Sequence, residues 1–192
     1  MSEVPSSPEP FFREYVPAHL ARLEGALAQY TSPGAVAFEV GAESYSLRLT
    51  EGKLSVERGV ASDALLTVRL GEPDFRAVVV AGAARLDDGA GLERQLVAVR
   101  ALTLDAERAR LLRESRGTVL LRLADAGEER RLLVTVGGAS EAPTAECEIA
   151  CDLEALWAIQ SGAANPIQLL LDGKVRITGN AELALGVAAA LG

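Results

Sequence analysis

The chain has 192 residues and a net charge of −8, with 49 % apolar and 24 % charged residues, a composition that is typical of a globular protein and excludes intrinsic disorder. The acidic balance lacks the basic footprint that phosphate backbones require, which excludes general nucleic-acid binding and disfavours strong adhesion to an anionic membrane. With one histidine and two cysteines, the chain has few residues from which to build a serine-hydrolase triad or a zinc site.

The termini and the cysteines predict a cytoplasmic protein. Residues 1–10 contain three prolines and two acids but no basic or apolar stretch, so we expect a flexible arm rather than a signal peptide. No run reaches eighteen apolar residues, and none is expected to span a membrane. Cys147 and Cys151 on one strand would lie about 13 Å apart, too far for a disulfide.

The first part of the chain predicts a helix, four strands and two further helices. Period-two alternation of apolar residues indicates half-buried strands joined by short turns, and therefore antiparallel pairing. Pro73 is suited to the first turn of a short helix, which Gly82 is expected to end. The predicted helices cover 11–30, 73–82 and 105–114, and the predicted strands contain 36–40, 45–49, 54–56 and 66–70.

The second part of the chain predicts a similar order of elements. Asp152 and Asn165 are expected to cap two helices, and Asn180 is expected to start a final apolar helix that reaches Leu191. The predicted strands contain 119–123, 132–136, 145–149 and 174–178.

An internal repeat connects the two parts. GAVAFEV (34–40) matches GTVLLRL (117–123), and LDAERARLL (104–112) matches GNAELALGV (179–187). The order of elements between these segments is also shared, which predicts two copies of one unit. The expected organisation is an arm (1–10), an N-terminal helix with a first unit (11–116) and a second unit (117–192). The short linker at 114–117 predicts that the two units pack tightly.

The closing segment, residues 162–191, resembles the sterol carrier protein 2 family, the non-specific lipid-transfer domain. The resemblance is carried by the turn Gly173-Lys174 into a strand, and by Gly179-Asn180 at the start of the last helix. The first copy departs from this pattern, because VAVRALTLD (97–105) has neither turn. The resemblance implies an α+β fold in each unit: a mostly antiparallel five-stranded sheet with helices on one face, and an apolar tunnel between sheet and helices that holds lipid.

The predicted lining of the tunnel lies in the second copy, and the final helix is expected to act as a lid. Seven of the eight aromatic residues lie at or before Phe75, which predicts a solid first copy and a hollow second one. The alternative is that the same side chains are ordinary core residues, since hydrophobic periodicity predicts burial and not a cavity. The predicted lipid-binding residues are Leu156, Trp157, Ile159, Ile167, Leu170, Leu171, Val175, Ile177, Leu183 and Val187.

These observations predict a carrier of a hydrophobic ligand (an acyl lipid, a sterol-like molecule or an isoprenoid) that has no catalytic activity, no cofactor and no metal. No nucleic acid and no stable membrane insertion are expected, whereas a homodimer or a protein partner is compatible with the sequence. The alternative is an interaction module without a pocket, or an accessory subunit in the biosynthesis of a lipid or quinone. No pair of carboxylates stands out as an acid–base couple, so an enzyme is not supported.

Overall fold

The computed structural model describes residues 3–28, 30–87, 104–138 and 144–191. Within these ranges, eight strands form one sheet. The strands are β1 (Ala35–Val40), β2 (Glu43–Thr50), β3 (Lys53–Arg58), β4 (Ala64–Leu70), β5 (Gly117–Asp125), β6 (Glu128–Val136), β7 (Cys147–Asp152) and β8 (Arg176–Gly179).

The strands lie in the order β3-β2-β1-β4-β6-β5-β7-β8. β1 is parallel to β4 and β5 is parallel to β7, while all other neighbours are antiparallel. The prediction of a five-stranded sheet is therefore wrong, because the sheet is a single one with eight strands. The reason is that β4 pairs with β6, with Leu66 opposite Val136 and Leu70 opposite Leu132, so the two parts of the chain share one hydrogen-bonded ladder.

Seven helices accompany the described part of this sheet. Two of them contain a π-helical stretch that carries buried aromatic side chains. The helices are α1 (Pro8–Pro10, Phe11–Tyr15 and Val16–Ala21), α2 (Glu24–Leu27), α3 (Glu72–Asp74, Phe75–Val80 and Ala81–Asp87), α4 (Ala106–Glu114), α5 (Leu153–Gln160), α6 (Pro166–Leu171) and α7 (Ala181–Leu191).

The helix starts follow local hydrogen bonding. The Asp152 carboxylate accepts a hydrogen bond from the Ala155 amide at 2.6 Å, and the Asn165 side chain accepts one from the Ile167 amide at 2.8 Å. Both predicted N-caps are thus confirmed, because each satisfies an amide that has no partner within its helix.

Some boundaries differ from those expected. The first helix begins at Pro8, which is buried, inside the segment expected to be an arm. Gly82 does not end its helix, and α3 continues to Asp87 because a glycine is tolerated inside a helix at a modest cost. The predicted counterpart strand at 97–105 lies mostly outside the described residues.

The helices pack on one face of the sheet. Every second side chain of a strand points to this face and packs in the core with side chains of the helices. Val119 lies in one cluster with Leu112, and Leu123 lies in one cluster with Leu153. The opposite face carries ion pairs such as Arg69 with Glu39 at 2.8 Å. Among the residues described, no helix is long and apolar enough to cross a membrane.

Candidate functional site

Two groups of helices cover the two ends of the central strands. α4 and α7 pack together, and their Leu112 and Leu183 lie in one core cluster with Val119, near the start of β5. α1, α3 and α5 form the second cluster with Leu123, near the end of the same strand. The sheet is thus held at both ends by separate helical groups.

Between these groups, the middle of the sheet is incompletely covered. On β5, Val119 and Leu123 are each 1 % exposed, yet Leu121, which lies between them on the same face, is partly exposed. In a uniformly covered sheet the middle position is the most buried of the three. Leu121 is therefore less completely covered by the described helices than Val119 and Leu123 are.

The same reversal occurs on β1 and β4, which pair with each other and are separated from β5 by β6. Phe38 on β1 and Val68 on β4 are partly exposed between buried residues of the same face, and they lie opposite each other in the ladder. Phe38, Val68 and Leu121 all contact both core clusters. From Leu121, partly exposed residues of the same face continue to the edge of the sheet, because Leu121 is opposite Ile149 and Ile149 is opposite Ile177.

These partly exposed side chains lie on both sides of β6, whose Leu132 and Val134 are buried, and together they are called the apolar strip below. It consists of Phe38, Val68, Leu121, Ile149 and Ile177. All five are apolar, and they leave part of their surface uncovered inside the helical side of the protein. An apolar lining with few polar groups is the usual character of a site for a hydrophobic ligand.

The predicted site residues fall into three groups. Five of them are partly exposed around the strip: Ile177 belongs to it, and Leu156, Trp157, Ile159 and Val187 project from α5 and α7. Two are core residues, Leu183 at 3 % and Val175 at 8 % exposure. The other three lie on the outer surface of α6, namely Ile167, Leu170 and Leu171.

Four residues of the strip were not predicted as site residues: Phe38, Val68, Leu121 and Ile149. The sequence signals that they lie on strands, but the signal is the same for the buried neighbours Val36 and Val119. The difference arises only from where the helices sit above the sheet.

One contact joins α3 to α5 beside the strip. The Arg85 guanidinium lies 3.5 Å from the ring centroid of Trp157 and donates to Glu154 at 2.8 Å and 3.1 Å. The hydrogen bond from Arg85 holds the pKa of the Glu154 carboxyl below its usual range. The Trp157 Nε1 atom is buried near Gly82 and has no hydrogen-bond partner among the described residues.

The two cysteines lie on the helical side of β7. Burial raises the pKa of the Cys147 thiol, and it raises the pKa of the Cys151 thiol to about 11. Both are free thiols. Both thiols therefore stay protonated near neutral pH. A protonated thiol is a weak nucleophile and a weak metal ligand. Among the residues described, no cluster of three or more histidine, cysteine or acidic side chains is placed to hold a metal ion.

Comparison with known families finds a match in the second part of the chain. Residues 98–192 match the SCP-2 sterol transfer family. This range contains α4, β5 to β8 and α5 to α7. A comparison with curated proteins finds no significant match.

Solved structures similar to the chain include several sterol carrier proteins. Sterol carrier protein 2 like 2 from Aedes aegypti is 16 % identical, with 58 % of this chain and 97 % of that chain covered and a TM-score of 0.42. The palmitated form of that protein, solved by NMR, is 19 % identical over 52 % of this chain and 93 % of that one, with a TM-score of 0.42. Sterol carrier protein 2 from Yarrowia lipolytica is 16 % identical over 51 % and 92 %, with a TM-score of 0.37.

Proposed function

We propose that this chain is a non-catalytic, cytoplasmic carrier that holds a hydrophobic ligand against the apolar strip. The observation that carries the proposal is the reversed burial on β1, β4 and β5, where the middle side chain of each strand is more exposed than its neighbours on either side. The match of residues 98–192 to a sterol transfer family supports the same class of ligand.

Apolar burial supplies the driving force for such binding. Removing apolar surface from water contributes about 25 cal/mol for each Å², and the strip offers aliphatic and aromatic surface without a charged side chain. The ligand class is therefore an acyl lipid, a sterol-like molecule or an isoprenoid. The final helix α7 is proposed as a movable cover, since Val187 packs at the margin of the cluster rather than inside it.

We also propose that the two parts of the sheet are tandem copies of one unit. β1 and β2 form a hairpin with β4 parallel to β1, and β5 and β6 form a hairpin with β7 parallel to β5. A helix follows the parallel strand in each copy: α3 follows β4, and α5 follows β7. The copies differ at their ends, because the first has β3 beside its hairpin and the second has β8 beside β7.

The test of ligand binding uses two substitutions on the last helix. A fluorescent acyl probe is titrated into the protein, and energy transfer from Trp157, the single tryptophan, reports binding close to α5. Val187→Arg introduces a charge beside the strip, and burying an unpaired charge is strongly unfavourable, so we expect the affinity to fall by at least about tenfold, or about 1.4 kcal/mol.

Leu185→Arg is the matched control, because Leu185 lies on the same helix but is 58 % exposed. The control is expected to bind the probe as the parent protein does. Equal affinities for all three proteins would contradict the proposed site. Failure of the parent to bind acyl and isoprenoid probes would contradict the carrier function itself.

A further inference from the structure

β3 is an open edge of the eight-stranded sheet. Among the described strands it pairs with β2 and with no other. An edge strand presents unpaired N–H and C=O groups that can hydrogen-bond to another chain. β3 has six residues and contains no proline, whereas β8 at the other edge has four residues. β3 is therefore the longer of the two free edges.

The free backbone groups of this edge belong to Leu54 and Val56. In an antiparallel ladder, only every second residue directs its backbone groups towards a given neighbour. The Gly59 amide donates to the Ser44 carbonyl of β2 at 2.9 Å, and this sets the phase of the ladder. The β3 residues in the same phase are Glu57, Ser55 and Lys53. The backbone groups of Leu54 and Val56 thus point away from β2, and no described residue bonds to them.

The side chains of β3 differ between the two faces of the sheet. Leu54 and Val56 lie on the helical side and pack against the core cluster that contains Tyr45, yet both remain partly exposed. The residues between and beside them lie on the opposite face and are exposed: Lys53, Ser55 and Glu57.

Two opposite charges flank the centre of the strand. Lys53 and Glu57 are each two residues from Ser55. Neither forms an ion pair with another residue that the structure describes. Glu57 acts electrostatically on Arg48, but the Arg48 guanidinium donates to Asp63 at 2.6 Å and 2.8 Å instead. The outer face of β3 therefore carries a cation and an anion at equal distances from its middle.

From this arrangement we propose that β3 pairs with β3 of a second copy of the chain, in antiparallel orientation about a two-fold axis at Ser55. A two-fold contact brings the same strand of both copies together. With Ser55 opposite Ser55 of the second copy, Lys53 of each chain faces Glu57 of the other, so that two ion pairs form. On the helical side, Leu54 of each chain faces Val56 of the other.

The same register also satisfies the backbone. Leu54 and Val56 are the residues whose N–H and C=O groups point away from β2, so they become the hydrogen-bonded pairs of the new ladder. The contact continues the sheet from one copy into the other. Their partly exposed side chains become covered at the same time, which adds apolar burial to the hydrogen bonds.

The charges select this register and this partner. A shift by two residues in one direction places Leu54 opposite Arg58, and a shift in the other direction places Glu57 opposite Glu51. An apolar side chain opposite a cation gains no cross-strand attraction, and like charges opposite each other are destabilising. β3 is thus complementary to itself, which is what a second copy requires and an unrelated peptide does not.

The test measures the monomer–dimer equilibrium of the full-length protein by sedimentation velocity at a series of protein concentrations. The parent protein is expected to form a dimer as the concentration rises. Lys53→Glu places glutamates opposite each other, and Glu57→Lys does the same with lysines. We expect each substitution to weaken the dimer by about tenfold, because two-fold symmetry makes it alter two cross-strand pairs at once.

Restoring the charge pairs is the sharper part of the test. The exchange of both charges in one chain, Lys53→Glu with Glu57→Lys, is expected to dimerise as the parent does. An equimolar mixture of the two single variants is expected to form a heterodimer, since one strand then carries two glutamates and the other two lysines. Arg176→Glu is the matched control, because Arg176 is an exposed cation on the other edge strand, β8, and the dimer is expected to be unchanged.

Several results would overturn the inference. A parent protein that stays monomeric at every concentration is one, and a dimer that neither single variant weakens is another. A dimer that is lost in the single variants but does not return on charge exchange also contradicts the proposed register. An equal loss in Arg176→Glu places the interface elsewhere, at the β8 edge. None of these results depends on ligand binding, so the carrier function is tested separately by the acyl-probe titration.

Discussion

The two ends of the chain fill the helical side of the sheet in different ways. In the first half, Phe12 is 1 % exposed, and the rings of Phe11, Phe38, Tyr45 and Phe75 lie 5.0–5.7 Å from its own. Stacked and edge-on rings at such distances fill volume completely and add attraction beyond their buried area.

The second half replaces this packing with partly covered aliphatic side chains. Its single aromatic residue, Trp157, contacts the guanidinium of Arg85 and shows no contact with another ring among the described residues. Leu156 and Ile159 on the same helix remain partly exposed. The difference teaches that the aromatic residues are concentrated in the core of the first half, whereas the second half relies on aliphatic side chains.

The largest expected effect tests the solid half. Phe12→Ala removes a ring from the centre of the cluster, and we expect it to lower the free energy of unfolding by about 3–5 kcal/mol. Leu156→Ala, in the second half, is expected to lower it by less than about 2 kcal/mol, since a partly exposed side chain contributes less apolar burial. Urea denaturation measures both, and equal losses would contradict the difference between the halves.

The next prediction concerns the two turns that frame β8. Gly179 has a φ of +88°, and a Cβ placed on it would lie 2.4 Å from the Glu146 carbonyl oxygen. Gly173 has a φ of +71°, but a Cβ there meets nothing within 4 Å. We expect Gly173→Ala to lower the free energy of unfolding by about 1 kcal/mol through backbone strain alone.

Gly179→Ala adds a steric clash with the backbone to the same strain, so its loss is expected to be at least about twice as large. Thermal melts of the two variants provide the comparison. Equal losses would mean that the β8 edge can move away from Glu146, and that this part of the second half is looser than its packing indicates.

A smaller effect is expected at the contact between α3 and α5. Arg85→Gln removes both the stacking on Trp157 and the ion pair with Glu154, which is exposed to solvent. Exposed pairs of this kind stabilise a protein by less than about 1 kcal/mol. Removal of the guanidinium exposes the indole, so we expect Trp157 emission to shift to longer wavelength. An unchanged spectrum would show that Arg85 does not cover the ring in solution.

The smallest effect is a pH dependence on the uncovered face of the sheet. Hydrogen bonds from Arg122 and Arg131 hold the pKa of Glu129 below its usual range, and a hydrogen bond from Arg48 does the same for the pKa of Asp63. A carboxyl whose pKa is lowered by folding stabilises the protein at pH values above the pKa that the group has in the unfolded chain. This contribution is lost as the pH falls through the pKa of the folded state.

We therefore expect Glu129→Gln and Asp63→Asn to be slightly less stable than the parent protein at about pH 7, with a difference that shrinks towards about pH 3. Urea titrations at a series of pH values measure it. A difference that grows on acidification would contradict the assigned ion pairs.

Much of the local structure could be predicted from the sequence, because it depends on neighbouring residues. Alternation indicated the strands, and Asp152 and Asn165 indicated the helix starts, since capping is decided within one turn. The pairing of β4 with β6 could not be predicted, because the other strands of the sheet show the same apolar alternation and are equally suitable partners. Apolar alternation predicts which face of a strand is buried, but it does not predict which strand lies beside it in the sheet.

The site was predicted in part for a related reason. Ile177 and Val187 pack against the core cluster, whereas Leu171 lies on the outer surface although its apolar character is the same. Phe38 and Leu121 were missed because their exposure depends on how helices that are distant in sequence pack over them. A residue's type indicates that it can line a cavity, but only the tertiary arrangement decides whether it does.

The most direct test of the central claim is to compare native and denatured mass spectra of the protein purified from its natural host without detergent. We expect a reproducible excess mass in the native spectrum, which is lost on denaturation and which corresponds to an extractable lipid. A native mass equal to that of the bare chain, together with no uptake of acyl or isoprenoid probes, would contradict a ligand site on the apolar strip.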